Sequence, residues 1–358
     1  MNTPIILANN QESLKKWDHF VLNHNNGWLT QHSTWAEVLS RCYKNVFPYR
    51  LALVNSNNGE ITAGLSLFLV KSLITGKKLI AVPMATIHDP LVNSEYEFNA
   101  LLQAAVDLKL KTESKCLKIK TFNSNKFLKS SNFSDVKVYL SHVLSLENDL
   151  QEIWKAFDRT CIRQNIRKLE KYKIKFRIAS GYSDLDSFFG LYRMTRRLHG
   201  LPSLPKDFFR AIFDIYGPKK NSLFILDEYN SIPIASVLIF IFKNRCSAEA
   251  LGWDIRYKWL SPSTTIFWEA IKIAYNSGCR WFDFGRTAPA NRSLIDFKRR
   301  WGTEEIEIPV YAYSSDRTRK SLIQESGLAR KFANIVFRDS PSPIYNSLSN
   351  LFYRHYLE

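Results

Sequence analysis

Helix and strand signals follow the same order twice along this sequence: a helix pair, a meander, one more helix and a final strand. In the first run, Gln11 to Leu22 has helical spacing, and Ser33 stands as N-cap of a helix from Thr34 to Cys42 with Trp35 and Leu39 on one face. Tyr49 to Val54 and Ile61 to Val70 form a hairpin through Asn55-Ser56-Asn57-Asn58-Gly59. Leu79 to Val82 is a third strand, Tyr96 to Leu110 a helix, and Cys116 to Thr121 and Val136 to Leu144 two more strands. The second run opens on a helical stretch from Leu150 to Tyr172 that breaks near Asp158, and then a strand from Lys175 to Ala179. Helices Asp184 to Leu198 and Lys206 to Tyr216 flank a Pro202/Pro205 loop. Ser222 to Leu226, Ile232 to Phe242 and Cys246 to Trp253 make the meander. Pro262 sits at the favoured start of a helix running to Asn276, and Phe282 to Phe284 and Ile306 to Tyr313 close the run.

This order predicts an α/β chain with mixed sheets and an internal structural duplication. The domains are expected at 1–145 and 146–315, with a basic helical tail over 316–358. In the tail, Leu328, Phe332 and Ile335 are spaced i, i+4, i+7, and Leu348, Leu351, Phe352 and Tyr356 make a second stripe after Ser340-Pro341-Ser342-Pro343. Two such helices either lie on an anionic membrane or pack against the body or a second subunit.

The chain has 358 residues, enough for two domains, and its 45% hydrophobic and 14% aromatic content excludes a disordered chain. The net charge of +17 favours anionic partners: nucleic acid, phosphorylated small molecules or acidic lipid. Cys42, Cys116, Cys161, Cys246 and Cys279 include no CxxC pair, so a reducing compartment is expected. The seven histidines show no HxH or HxxxH spacing, and no metal site is expected. Met1-Asn2-Thr3-Pro4 lacks the basic region of a signal peptide. The longest apolar run, Ile232 to Phe242, is too short to span a bilayer. A cytoplasmic protein is expected, working at the inner face of the cell membrane if the tail meets lipid.

Candidate chemistry clusters in the second half. Lys155 to Arg177 carries nine Lys/Arg against Asp158 and Glu170. Arg159, Arg163 and Arg167 recur every four residues on one helix side, with Ile162, Ile166 and Leu169 on another. Guanidinium forks on a fixed helix suit phosphate; a solvated face has the same pattern. His199 ends a helix, as an acid or base or as a structural residue. Gly252 and Trp253 end a strand, where Gly252 admits a close approach and Trp253 offers either a binding face or a packing ring. Trp281-Phe282-Asp283-Phe284-Gly285-Arg286 reads as a buried strand opening at a glycine. Asp283 and Arg286 either serve a substrate or pair with each other. Phe297 and Trp301 face the core, so Lys298, Arg299 and Arg300 fan outward with at least one cation near the strand mouth.

These segments together resemble the FemAB-related branch of the GNAT acetyltransferase superfamily. The resemblance rests on Arg163-Gln164-Asn165-Ile166-Arg167-Lys168, Arg196 to Pro202, Phe208-Phe209, Phe282 to Arg286 and Phe297 to Gly302. Gly64 to Ser72 followed by Gly76-Lys77-Lys78-Leu79 is similar to the first domain of that branch. The resemblance implies two tandem GNAT-like domains and acyl or aminoacyl transfer to an amine or hydroxyl of a cell-envelope or exopolysaccharide precursor. It implies that Lys298 stabilises an oxyanion and that Arg163, Arg167 and Arg286 hold phosphate or carboxylate. Arg300 and Trp253 complete the expected substrate-binding set. The general base is unassigned, with Asp283 the candidate. The donor is aminoacyl-tRNA or an acyl-CoA, with no tightly bound cofactor and no DNA partner.

Two departures qualify the resemblance. The first-domain turn reads His88-Asp89-Pro90-Leu91 without its glycines, which weakens a substrate role for Asp89. The R/Q-x-x-G-x-G/A loop of coenzyme A-binding members is absent, and with it the amide cradle for pyrophosphate. The alternatives are an acetyl-CoA-dependent N-acetyltransferase with a divergent loop, and a non-catalytic RNA- or membrane-binding scaffold. No RNA-recognition aromatic motif or helix-turn-helix pattern supports the scaffold.

Overall fold

The structure, a computed structural model, describes residues 3–86, 88–124, 126–127, 134–314 and 327–357. The chain divides into two compact units. The first comprises Met1–Tyr139, Glu307–Gly327 and Leu351–Glu358, and the second Leu140–Ile306 and Leu328–Asn350.

In the first unit the chain runs β1 (Ile5–Ile6), α1 (Gln11–Asn23), α2 (Thr34–Cys42), β2 (Val46–Val54), β3 (Ile61–Ser72), β4 (Gly76–Ala81), α3 (Glu95–Lys111) and β5 (Cys116–Lys120). β3 is buried at every residue from Ala63 to Val70, as a strand covered on both faces must be. Leu65, Leu67 and Leu69 pack beneath Phe98, Leu101 and Ala105 of α3. On the other face α1 lies so close that a Cβ at Gly64 would stand 2.6 Å from the Trp17 ring. Ser33, expected to cap α2, makes no capping bond; its hydroxyl donates to Asp18 at 2.6 Å. Asp89 is buried and accepts from the amides of Phe122 (2.8 Å), Asn123 (2.7 Å) and Ser124 (3.2 Å), and from the Ser124 hydroxyl (2.7 Å). Burial pushes its pKa up against those four bonds. Its carboxylate is thus committed to the loop after β5.

The second unit contains α4 (Leu150–Ala156), a π turn (Arg159–Arg163), α5 (Gln164–Glu170), β7 (Lys175–Ile178), α6 (Tyr182–Leu198) and α7 (Lys206–Tyr216). The meander β8 (Ser222–Tyr229), β9 (Ile232–Phe242) and β10 (Arg245–Trp253) follows, then α8 (Pro262–Asn276), β11 (Trp281–Asp283) and α9 (Arg292–Arg299). The helix break near Asp158 has a direct cause. The Asp158 carboxylate accepts from the Thr160 and Cys161 amides at 3.0 and 2.6 Å and starts a new turn. Ile266, Phe267, Ala270 and Ile271 of α8 cover one face of the meander. α6 covers the other so closely that a Cβ at Gly252 would meet the Tyr192 backbone nitrogen at 2.3 Å. The close approach anticipated at Gly252 is therefore that of a helix.

The two sheets share one plan but exchange their closing strands. The first runs β1-β2-β3-β4-β5-β12, where β12 is Glu304–Ser314, and the second runs β6-β11-β10-β9-β8-β7, where β6 is Ser134–Ser145. In each, an antiparallel meander is followed by a parallel neighbour (β4–β5, β10–β11) and an antiparallel closing strand. Val310 of β12 pairs with Lys120, and Val143 of β6 pairs with Asp283. The unit limits at 139/140 and 306/307 therefore differ from boundaries drawn at 145/146 and 315/316. Sequence order assigns each closing strand to its own half, while hydrogen-bond pairing places it in the other.

The tail forms α10 (Gly327–Asp339) and α11 (Ser342–His355). Within the second unit, Arg197 donates to the Arg338 carbonyl (3.0 Å) and to the Ser342 hydroxyl (3.2 Å), and Tyr345 donates to the Leu201 carbonyl (2.9 Å). The face turned inward on α11 carries Tyr345, Ser349 and His355, while Leu351 and Tyr356 of the expected stripe are 50% and 44% exposed. Hydrogen bonds to the Gly200–Ser203 loop thus decide the face. Ile335 is exposed, and the side chains of Leu328 and Phe332 lie outside the described residues.

Candidate active site

The site begins where two parallel strands part. β10 and β11 pair over only three residues, Arg245↔Trp281, Cys246↔Phe282 and Ser247↔Asp283. Past that point β10 continues to Trp253 along β9, while β11 ends. A crevice at the carboxyl ends of parting strands is where open α/β sheets bind ligands. The first residue of β10 past the parting with no partner on β9 is Glu249. Ala248 pairs with Ile239 and Ala250 with Leu238, so Glu249 is the extra residue of a β-bulge. Bulges re-aim side chains and occur beside active sites.

Asp283 is fully buried and saturated. Its Oδ1 accepts from the Ser141 hydroxyl (2.7 Å) and the Gly285 amide (2.8 Å), and its Oδ2 forms an ion pair with Arg245. Of the two alternatives for Asp283, a substrate role or a pair with Arg286, the structure shows neither: its ion pair is with a residue on the adjacent strand. Arg286 is half-buried, and its charge, with that of Arg245, favours ionisation of Glu249. Burial nevertheless raises the Glu249 carboxyl to about 7, with Asp283 adding to the rise and the Ser247 hydroxyl opposing it. A partly buried carboxyl that titrates near neutrality is a candidate proton acceptor.

Lys298 does not fan outward. It is 3% exposed, and its Nζ donates to the Gly285 carbonyl at 2.6 Å. Burial lowers its pKa to about 8, against the pull of Asp283. The aromatic side of α9 explains the placement: Trp301 is buried against Phe157, Phe267 and Phe284, with Phe297 half-buried beside it. Lys298, one residue after Phe297, sits at the edge of this inward face. Arg299 points out and pairs with Glu305. His142, fully buried, lies near Glu305 at 3.6 Å; burial and then Lys298 hold its pKa down.

Gly285 joins the two ionisable groups. Its carbonyl holds Lys298, and a Cβ added to it would stand 2.8 Å from the Ala248 carbonyl, next to Glu249. Its φ of 75° lies in the left-handed region. Gly285→Ala is expected to cost about 1–3 kcal/mol of stability. Urea unfolding should show a lower midpoint with an unchanged slope.

The other expected site residues lie apart from this group. Arg300 is exposed, and its carbonyl accepts from the Asp158 amide at 2.7 Å. Arg167 is exposed and lies over the Trp154 ring at 5.9 Å. Arg163 is half-buried, and its Nε has no hydrogen-bond partner among the described residues. The π turn over Arg159–Arg163 breaks the 3.6-residue period that a common face for Arg159, Arg163 and Arg167 would require. Ile162, Ile166 and Leu169 do face inward. Trp253 is half-buried against the core, its amide donating to the Thr195 hydroxyl at 2.7 Å, which favours the packing role. His199 is exposed at the end of α6, its pKa lowered by burial and Arg196.

Comparison with known proteins relates this geometry to a known domain and a known fold. Residues 157–299 match the family described as Acetyltransferase (GNAT) domain. No curated protein matches the sequence. The fold is similar to the crystal structure of FemX, with a TM-score of 0.71 and 16% identity over 89% of this chain and 99% of that one. It is also similar to L-PGS from Bacillus licheniformis (TM-score 0.56, 11% identity, 92% and 99% covered). A tandem GNAT protein from the clavulanic acid biosynthesis pathway is similar too (TM-score 0.53, 10% identity, 87% and 98% covered). The chain thus shares the fold of FemX and of this tandem GNAT protein, and its second unit carries the stretch that matches the GNAT domain.

Proposed function

We propose that this chain transfers an acyl group, and more narrowly an aminoacyl group, to an amine or hydroxyl of an anionic cell-envelope or exopolysaccharide precursor. The observation that carries this reading is that the buried Lys298 and the strand residue beside Glu249 both meet Gly285, where β10 and β11 part within the stretch that matches the GNAT domain. In the reaction, the acceptor's nitrogen or oxygen lone pair forms a bond to the donor carbonyl carbon. The carbonyl π electrons move onto oxygen, where the Lys298 ammonium stabilises the oxyanion. Glu249 takes the proton lost by the nucleophile. The oxyanion then re-forms the carbonyl and expels the leaving group, which receives that proton from Glu249.

Asp283, Arg245 and Ser141 orient this apparatus and do not exchange protons in it. Arg286, Arg163, Arg167 and Arg300 supply positive charge for a phosphorylated donor or acceptor. Aminoacyl-tRNA fits the +17 chain as donor, and acyl-CoA is the competing choice. The reaction is assigned to the cytoplasmic side of the membrane, where such activated donors reside.

Two assays test the reading. Acyl transfer from aminoacyl-tRNA and from acyl-CoA, each with phosphorylated sugar acceptors, identifies the donor; calorimetric binding of coenzyme A would move the reading to acetyl-CoA chemistry. The pH profile tests the residues. Glu249 must be deprotonated, so the rate rises through about pH 7, and Lys298 must be protonated, so it falls above about 8. Glu249→Gln should lower kcat about a hundredfold, the low end for a general base because an amine is already a good nucleophile, and should abolish the rising limb. An unchanged rising limb in Glu249→Gln removes Glu249 from the chemistry.

A further inference from the structure

In the first unit, the β3–β4 turn projects two large apolar side chains with almost no cover. Leu73 is 98% exposed and Ile74 59%, although the strands on either side of them are largely buried. The turn is held from below by the end of α11. The His355 ring nitrogen meets the Ser72 hydroxyl at 3.0 Å, and the Thr75 hydroxyl donates to the His355 carbonyl at 3.1 Å. Two further exposed apolar side chains, Phe47 and Tyr356, are joined to the flanking strands by lysines. Lys71 lies over the Phe47 ring at 4.5 Å and Lys78 over the Tyr356 ring at 5.9 Å. Lys77 flanks the turn and pairs with Glu113, and Asn45 ties the strand beside it to the Arg354 carbonyl.

We propose that this turn and the end of α11 form a docking surface for an anionic lipid bilayer. Leu73 and Ile74 enter the acyl region, Tyr356 lies at headgroup depth, and Lys71, Lys77 and Lys78 meet lipid phosphates. The shape excludes the other occupants of an apolar patch. A convex tip of two residues is far smaller than the roughly 800 Å² per partner that a stable protein interface buries. Lys71 and Lys78 beside the tip repel the same lysines of a second copy. RNA would be attracted by the lysines but gains nothing from an aliphatic tip. The surface uses none of the acyl-transfer residues and stands whatever the fate of that reading.

Flotation of the full chain with phosphatidylcholine vesicles, with and without phosphatidylglycerol, tests the proposal. Binding is expected only with phosphatidylglycerol and should weaken with salt. Leu73→Ser/Ile74→Ser should lower partition at least tenfold with an unchanged thermal melt, since the exposed tip supports no core. Lys71→Gln and Lys78→Gln should each cost roughly fivefold. As a direct readout of insertion, the emission of Leu73→Trp should shift to the blue with these vesicles and be quenched by brominated lipid. Full binding by Leu73→Ser/Ile74→Ser, or an unmoved emission in Leu73→Trp, overturns the proposal. So does a wild-type dimer that the double serine variant dissolves, or binding to RNA in the absence of vesicle binding.

Discussion

Lys298→Met is expected to lower acyl transfer about a thousandfold while leaving stability within about 1 kcal/mol of the parent. The two halves of this result come from the same burial. A methionine has nearly the length of lysine and no charge. It removes an ammonium whose desolvation already lowers its pKa to about 8, and it gives up one bond to the Gly285 carbonyl. These effects oppose each other in the resting fold. In the transition state they do not, because the oxyanion loses the positive charge that faces it. The falling limb of the pH profile above about 8 should vanish with the lysine. Arginine should not rescue, because a planar fork does not fit a space shaped for a single ammonium. Full turnover by Lys298→Met would assign the lysine to folding alone.

Arg245→Ala should cost about 3–5 kcal/mol. Asp283 is fully buried, and Arg245 is the cation in direct contact with it, with Lys298 acting on it at longer range. Removing the arginine strands a charge, which costs more than never having had the pair. Arg245→Ala/Asp283→Ala should therefore be less destabilised than the sum of the two single variants, and a double-mutant cycle by urea unfolding measures the difference. Asp283→Asn retains an oxygen for the Ser141 and Gly285 donors and should lose less than Asp283→Ala. Strict additivity in the cycle would show that the two side chains do not act as a pair.

Burial periodicity made much of this architecture legible before any coordinates. β3 and β9 announce themselves as long apolar runs, and Phe297 with Trp301 at i, i+4 shows which side of α9 faces the core. What the pattern left out has physical reasons. Lys298 reads as solvent-facing because a charged residue at the edge of an apolar stripe usually is, and only the position of the Gly285 carbonyl draws its long stem inward. Arg245 stands 38 residues from Asp283, whereas Arg286 is three away, and strand register, not proximity along the chain, chose between them. Glu249 was missed altogether. A signal for it exists: Cys246 and Ala248 face the core, then Leu251 and Trp253 do, and the step of three between Ala248 and Leu251 marks the bulge that carries the carboxylate.

The exchange of closing strands has a consequence for how the chain is made. The first sheet cannot be completed from the first half of the sequence, because β5 waits for a partner about 190 residues downstream. At translation rates of 5–20 residues per second, that interval lasts roughly 10–40 s. Throughout it, Cys116–Lys120 presents an unpaired strand edge with Leu117 and Ile119 on one face, a template for other nascent chains that Lys118 and Lys120 on the opposite face only partly blunt. The amino-terminal unit is therefore the last to be sealed although it is the first to emerge, and its yield in the cell should depend on chaperone occupancy more than on the stability of the finished protein.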